Sequence, residues 1–471
     1  MKNILMISIA GTEINFLISM PTLKAYMNQF EEVRSQYTFT ILDFKLIDTI
    51  DYIIRKIKEQ PVFNILCLSS YTWNKERIEI LMHAHLCKDI IVGGPDIPEN
   101  CNPHDSSYTI TKIEGEGEEK LFYSLMNYIP PKQTLAEKPS AYLTNSVNEN
   151  VINDKSMCIN IETMRGCNYR CAYCAYHKFL DHIEYRDRDV IVQEIEFLYK
   201  KGKTLGLILD SNFFANEQRA VYILDKLTDL NIHIKFDIEI IGSFITEPIV
   251  QSCNRYMRNG GDLLIATGIQ SINKDVLKAI NRPPYDEKVF NEKIKSIEKI
   301  GAMIRYDLIA GLPKETKSSY ENSIDYVINL LRYDRSCPGF SILHIIPFTQ
   351  IAKNVKELGF LINNIGVVLS TPTMSQEDII ECNKLNLIIR RLFDPSDIDN
   401  NRKEVRCLYF KLKDKYHISN VKLLTSIYKL VETEIFKKRS ILNGIAESRL
   451  IWTRMRTEIP YDKLLNILEN F

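Results

Sequence analysis

Arg165-Gly166-Cys167-Asn168-Tyr169-Arg170-Cys171-Ala172-Tyr173-Cys174 holds three cysteines at C-x3-C-x2-C spacing. Four thiolates normally close a [4Fe–4S] cluster, so a trio leaves one iron to be completed by a small molecule. The same stretch admits a second reading. His177 follows Cys174 at C-x2-H spacing, and Cys3His is an acceptable tetrahedral zinc set. On that reading the chain is a zinc-stabilised binding protein. Which reading applies decides what the flanking sequence must contain.

Outward from the loop, two later segments bear on the choice. They are Gly268-Ile269-Gln270-Ser271-Ile272-Asn273-Lys274-Asp275-Val276-Leu277-Lys278-Ala279-Ile280-Asn281-Arg282 and Asp307-Leu308-Ile309-Ala310-Gly311-Leu312-Pro313-Lys314-Glu315-Thr316. With Tyr173 just before the last cysteine, the three segments in this order resemble the radical S-adenosylmethionine (radical SAM) enzymes. A zinc knuckle would require neither later segment. The resemblance implies a partial (β/α)6 TIM barrel, with Cys167, Cys171 and Cys174 holding the cluster and SAM completing it. Reductive cleavage of SAM then yields methionine and a 5′-deoxyadenosyl radical. An electron donor such as flavodoxin or ferredoxin is implied as well.

Strand-like runs fit such a barrel at 157–163, 205–209, 234–240, 262–267, 303–309 and 341–346, with helical stretches between them. Functional residues of such barrels lie at the carboxyl ends of the strands. The expected α/β organisation is a Rossmann-like domain over 1–130, a turn-rich linker over 131–155, the barrel over 156–370 and a mostly helical region over 371–471.

In the first domain, apolar strands alternate with amphipathic helices. Their ends read Ser69-Ser70-Tyr71, Gly93-Gly94 and Gly115-Glu116-Gly117. These loops resemble the cobalamin-binding domain that precedes the barrel in one branch of the family. Glycines let a flat corrin face approach closely. No D-x-H-x-x-G segment is present, so that motif supplies no histidine to cobalt. A Rossmann-like scaffold without cobalamin is the alternative.

The resemblance also places SAM contacts by position. Tyr173 matches an aromatic near the adenine, with packing beneath the loop as its other use. Asp210 and Ser211 stand where the family often has Gly-Gly-Glu for the SAM amino group. Glu239 is a candidate for the ribose hydroxyls. Gln270 and Asp307 are SAM or substrate ligands, or satisfied buried polar groups. The leading expectation is cobalamin-dependent methylation of an unactivated carbon in a peptide or other natural product. The rival is a cobalamin-independent peptide epimerase or related peptide maturase, in which Cys382 or Cys337 donates a hydrogen atom. Inert packing is the ordinary fate of such cysteines.

Composition sets outer bounds. Hydrophobic residues make up 45% and charged residues 25% of 471, which is a globular balance, and no apolar run is long enough to span a bilayer. Met1–Ala10 reads as a first buried strand. Eleven cysteines, scattered apart from the trio, do not form a disulfide framework, and a reducing cytoplasm suits them. Lys plus Arg equals Asp plus Glu at 60 each, so net charge gives no pointer to nucleic acid. Residues 402–456 carry fourteen Lys/Arg against five Asp/Glu, a basic stretch that reads as solvated helix faces or a surface for an acidic partner.

Overall fold

Ile4 to Ala10 is apolar at every position but Ser8, a pattern that suits a strand covered on both faces. In the computed structural model, which describes residues 1–99, 107–176, 180–393, 401–435 and 461–469, this run lies in strand β1, Lys2–Ala10. It joins β2 (Tyr37–Lys45), β3 (Ile65–Ser69), β4 (Asp89–Gly93) and β5 (Thr109–Ile113) in a parallel sheet of order β2-β1-β3-β4-β5. Side chains alternate between the faces. Ile4 and Met6 pack with Tyr26, Leu121 and Phe122 on one side, while Leu5, Ile7 and Ile9 pack with Ile53, Ile57 and Ile78 on the other. Helices Ser19–Asn28 and Gly117–Met126 cover the first face, and Ile50–Lys58 and Lys75–Met82 cover the second. The last of these ends at Met82. The strand order reverses beside β1, and the crevice outside the carboxyl strand ends at such a switch is where open α/β sheets bind ligands.

Two compact units make up the chain. The first comprises Met1–Asn168, Ala175–Glu239 and Gln251–Leu263; the second comprises Tyr169–Cys174, Ile240–Val250 and the described residues from Leu264 onward. Besides its five-stranded sheet, the first unit carries β6 (Ile159–Ile161), the antiparallel pair β7 (Met164–Arg165) and β8 (Glu184–Tyr185), and β9 (Leu205–Ile208). Strand β10 (Lys235–Ile240) pairs in parallel with β9, which pairs in parallel with β6. In the second unit, β11 (Asp262–Gln270), β12 (Met303–Ala310) and β13 (Ser336–Ile342) are likewise parallel. Helices Arg188–Lys200, Glu217–Asp229, Glu247–Arg258, Lys274–Ala279, Glu287–Lys299 and Lys317–Leu330 alternate with these strands. Six parallel strands with intervening helices are the architecture of a partial (β/α)6 barrel.

One strand departs from expectation. The sequence reading began the sixth at Ser341, whereas β13 starts at Ser336 and takes in Cys337-Pro338-Gly339. Proline is tolerated because β13 is an edge strand. Glycine leaves room for the Asp307 carboxylate, since a Cβ at position 339 would lie 1.8 Å from Asp307 Oδ1 and displace it.

Beyond the barrel, helices Gln376–Phe393, Asn401–Tyr416, Asn420–Ile435 and Tyr461–Glu469 follow the antiparallel pair β14 (Leu361–Ile362) and β15 (Val368–Ser370). Buried Arg406 ties this helical region to the barrel edge. Its guanidinium donates to the carbonyls of Leu331 (3.0 and 2.8 Å), Asp334 (2.6 Å) and Ser336 (2.8 Å). Part of the basic 402–456 stretch lies outside the described residues.

Candidate active site

The approach to Cys167 is built by backbone geometry. Gly166 has φ +86°, and a Cβ there would sit 2.2 Å from the His182 carbonyl oxygen, so no other residue fits without displacement. Asp210 and Ser211 follow β9 and brace the same segment. The Asp210 carboxylate accepts from Thr163 N–H (2.8 Å), Met164 N–H (3.1 Å) and the Thr163 hydroxyl, and the Ser211 hydroxyl donates to the Gly166 carbonyl (2.7 Å). Burial pushes the Asp210 carboxyl up to about 6. These two residues stand where the family often has Gly-Gly-Glu for the SAM amino group, and here their side chains also support the segment that enters the cysteine loop.

Cys167 and Cys171 are buried and Cys174 is half-buried. Cys174 N–H closes a turn on the Cys171 carbonyl (3.0 Å). Ala172 donates its N–H to the Ile280 carbonyl (2.9 Å) and accepts from Ile351 N–H (3.0 Å), so the loop centre is pinned on both sides. Among the described residues no three His, Cys, Asp or Glu side chains converge on a single-ion site. A four-iron cluster takes each thiolate on a separate iron. His177 lies outside the described residues. The donor set, three thiolates on a pinned loop, fits the cluster.

Tyr173 packs against the cluster of apolar side chains around Leu277, Leu312 and Leu343, and burial raises its phenol above the ordinary range. Arg282 Nη1 donates toward the Tyr173 hydroxyl (3.4 Å) and the Cys171 Sγ (3.8 Å), while Nη2 donates to the Gly268 carbonyl. Gln270 ends β11 with φ +67°, a left-handed conformation uncommon for a side-chain-bearing residue. Its Oε1 is buried without a hydrogen-bond partner. Strained backbone and an unsatisfied buried acceptor are costs that ligand sites often carry, so Gln270 fits a residue that takes a hydrogen bond from SAM. Asp307 lies in β12 and accepts from Arg305 Nε (3.0 Å). Glu239 lies in β10, half-buried. A cavity of about 230 Å³ in this unit is lined by Tyr169, Ser243, Gly268, Arg282, Tyr285 and Lys293 among others.

Cys382 and Cys337 line neither this cavity nor the larger one below. Cys382 is fully buried in helix Gln376–Phe393, and burial pushes its thiol well above the ordinary range. Cys337 is buried in β13, paired with Arg305.

The larger cavity, about 410 Å³, lies in the first unit at the carboxyl ends of β3, β4 and β5. Ser69, Tyr71, Gly93, Gly94, Gly115, Glu116 and Gly117 all line it, as do Glu162, Arg165 and Tyr176. Ser70 does not. Its hydroxyl donates to the Asp96 carbonyl (2.6 Å), and its backbone oxygen lies 2.2 Å from where a Cβ on Gly94 would be. Gly94 is thus explained by chain packing before any ligand is considered. The Ser19 and Ser69 hydroxyls hydrogen-bond with each other at 3.3 Å, and Tyr71 stacks on Trp73 with ring centroids 4.5 Å apart.

Arg165 lines this cavity and stands two residues before Cys167. Its guanidinium pairs with Glu116, with Glu118 (2.7 Å) and with Glu162 (2.9 Å), and Lys138 meets Glu118 at 3.3 Å. Burial alone would raise the Glu118 carboxyl, but Arg165 and Lys138 outweigh it and hold it at about 2. Arg165 and Arg282 both stand in segments that carry the family resemblance, yet neither had been assigned a role. Their position next to the thiolate loop and at the end of the second segment was the only available signal.

Comparison with known proteins adds to this geometry. Residues 161–327 match the sequence profile of the Radical SAM superfamily. The ribosomal protein uS12 methylthiotransferase RimO of Petrotoga mobilis is 32% identical over 176 residues, covering 34% of this chain and 38% of that protein. RimO of Campylobacter fetus is 25% identical over 306 residues, covering 62% and 64%. The chain thus spans less than two thirds of these relatives. Among solved structures, the cobalamin-dependent SAM radical enzyme OxsB with aqua-cobalamin bound superposes with TM-score 0.63 at 14% identity, covering 100% of this chain and 78% of that one. The radical SAM methyltransferase TsrM of Kitasatospora setae, with cobalamin and a [4Fe–4S] cluster bound, gives 0.55 at 14%, covering 77% and 79%. The cysteine loop falls within the matched residues 161–327, so the chain carries a radical SAM domain, and its fold is similar to those of OxsB and TsrM.

Proposed function

We propose that the chain is a cobalamin-dependent radical SAM methyltransferase acting on an unactivated carbon of a peptide or other natural product. The observation that carries this reading is the cavity of about 410 Å³ at the β3–β5 ends, lined by Arg165 two residues before Cys167. When bound, the cluster supplies the low-potential electron for reductive cleavage of SAM, and a corrinoid supplies a transferable methyl group. Cys167, Cys171 and Cys174 would hold the cluster. Gln270 offers its unpartnered oxygen to SAM, and Glu239 and Asp307 are further candidates on neighbouring strands. Ser69, Tyr71, Gly93, Gly94, Gly115, Glu116 and Gly117 would receive the corrinoid, with hydroxyl and carboxylate groups available to its amide side chains. A flavodoxin- or ferredoxin-type donor would deliver the electron.

A second reading, methylthio transfer, is favoured by the RimO relatives. The epimerase reading needs a hydrogen donor at the site; Cys382 and Cys337, its candidates, are buried and are not among the residues lining either cavity.

The test uses anaerobically purified, cluster-reconstituted protein assayed for iron, sulfide and corrinoid, then for 5′-deoxyadenosine with dithionite and SAM. Corrinoid uptake, and a methyl gain on the product from methyl-labelled SAM, are the expected results. Deoxyadenosine without corrinoid uptake would overturn cobalamin dependence, and a methylthio gain would move the assignment to the second reading.

A further inference from the structure

Arg282 is held in place by the chain around it. Helix Lys274–Ala279 ends as Asn281 turns left-handed (φ +52°), and Arg282 N–H bonds back to the Leu277 carbonyl at 2.9 Å. Asn281 is anchored in turn, its side chain donating to Gln350 Oε1 at 2.7 Å. Pro283 and Pro284 follow and restrict the backbone. At the far end of the side chain, the Gly268 carbonyl fixes one guanidinium nitrogen, leaving the other directed at the Tyr173 hydroxyl and at Cys171 Sγ, 3.8 Å away. A guanidinium stays charged at any working pH. The result is a permanent cation, oriented by four local constraints, with an N–H aimed at a cluster-ligand sulfur.

We propose that Arg282 is a positioning residue that sets the reduction potential of the cluster, by placing a fixed positive charge and an N–H donor against the Cys171 thiolate. This rests on the radical SAM reading of the cysteine loop. Hydrogen bonds to cluster sulfurs and local net charge are among the terms that determine iron–sulfur potentials. A donor and a cation both stabilise the more negative, reduced state, so Arg282 makes the cluster easier to reduce. It also lets a thiolate lie buried without an isolated negative charge.

The experiment is a redox titration of reconstituted full-length protein followed by electron paramagnetic resonance, without SAM. SAM is omitted because Arg282 also lines the 230 Å³ cavity, where an anionic group would mask its effect. At the wild-type midpoint, the reduced-to-oxidised ratio in Arg282→Met should fall at least tenfold, about 59 mV for a one-electron couple. Arg282→Lys, which keeps the charge but not the planar fork, should move in the same direction by less. An Arg282→Met protein with wild-type iron and sulfide that titrates at the wild-type midpoint overturns the proposal. If the Met variant holds no iron, the Lys variant decides, and a wild-type midpoint there overturns the proposal equally. A wild-type chain showing no four-iron signal would instead sink the radical SAM reading, so the two failures are distinguishable.

Discussion

Replacing Arg165 by methionine removes a cation shared by Glu116, Glu118 and Glu162, and leaves Glu118 with Lys138 as its ion-pair partner among the described residues. The Glu118 side chain is 4% exposed, so solvent does little to screen the change. Its carboxyl is held at about 2 against an ordinary 4.5, which corresponds to about 3 kcal/mol at 1.36 kcal/mol per tenfold step. Because the folded value lies below the unfolded one, this stabilisation is complete above roughly pH 5 and lost as pH falls toward 2. Lys138 retains part of it, so Arg165→Met should cost about 2 to 3 kcal/mol at pH 7, with the gap from wild type narrowing below pH 4.5. Adding Glu118→Gln should recover part of the loss, since the uncompensated carboxylate is then gone. Trp73, whose indole N–H donates to the Ile9 carbonyl at 3.2 Å, reports on the first unit. Urea unfolding followed by its fluorescence, in a Trp452→Phe background, measures the difference. A change within about 0.5 kcal/mol at pH 7, the range of an ordinary surface substitution, would refute the reasoning. So would a gap of equal size at pH 4.

Four further outcomes follow from the same geometry. Gly166→Ala meets the His182 carbonyl and a φ of +86°, so reconstituted iron content should fall well below wild type while far-ultraviolet circular dichroism is retained. Gln270→Ala removes one buried hydrogen-bond acceptor and should weaken SAM binding about tenfold by calorimetry, the equivalent of about 1.4 kcal/mol. Glu315 is fully buried, accepts from Ser271 at 2.9 Å and from Ser319 at 3.2 Å, and burial raises it to about 8. Its folded value lies above the unfolded one, so wild-type stability should decline from pH 5 to 8 relative to Glu315→Gln, seen as a widening difference in Tm. Arg406→Met strands the Leu331, Asp334 and Ser336 carbonyls and should cost about 3 kcal/mol in urea unfolding.

The barrel and the cysteine loop were legible because their signals are local. Strand runs and helix periodicity recur within tens of residues, and C-x3-C-x2-C is one short segment. Strand ends were less legible. Cys337-Pro338-Gly339 looks like a turn until Asp307 is seen to occupy the space that a side chain at 339 would need. Asp210 and Ser211 follow the second barrel strand as the sequence suggested, but their partners, Thr163, Met164 and Gly166, are 45 to 47 positions away and were not readable from the motif. Ser70 was grouped with Ser69 and Tyr71 by adjacency, although successive residues leave a strand end in different directions.

The sequence by itself determined the radical SAM domain over 161–327, the order of the strands along the chain and which three thiolates can hold iron, since spacing within a loop fixes which donors can share a cluster. Only the tertiary structure decided that Arg165 meets Glu116 and that Arg282 meets Cys171, pairs separated by 49 and 111 residues. Side chains that distant are brought together by strand pairing and helix packing, and a buried charge shows its partner only when the surrounding chain has excluded water from both.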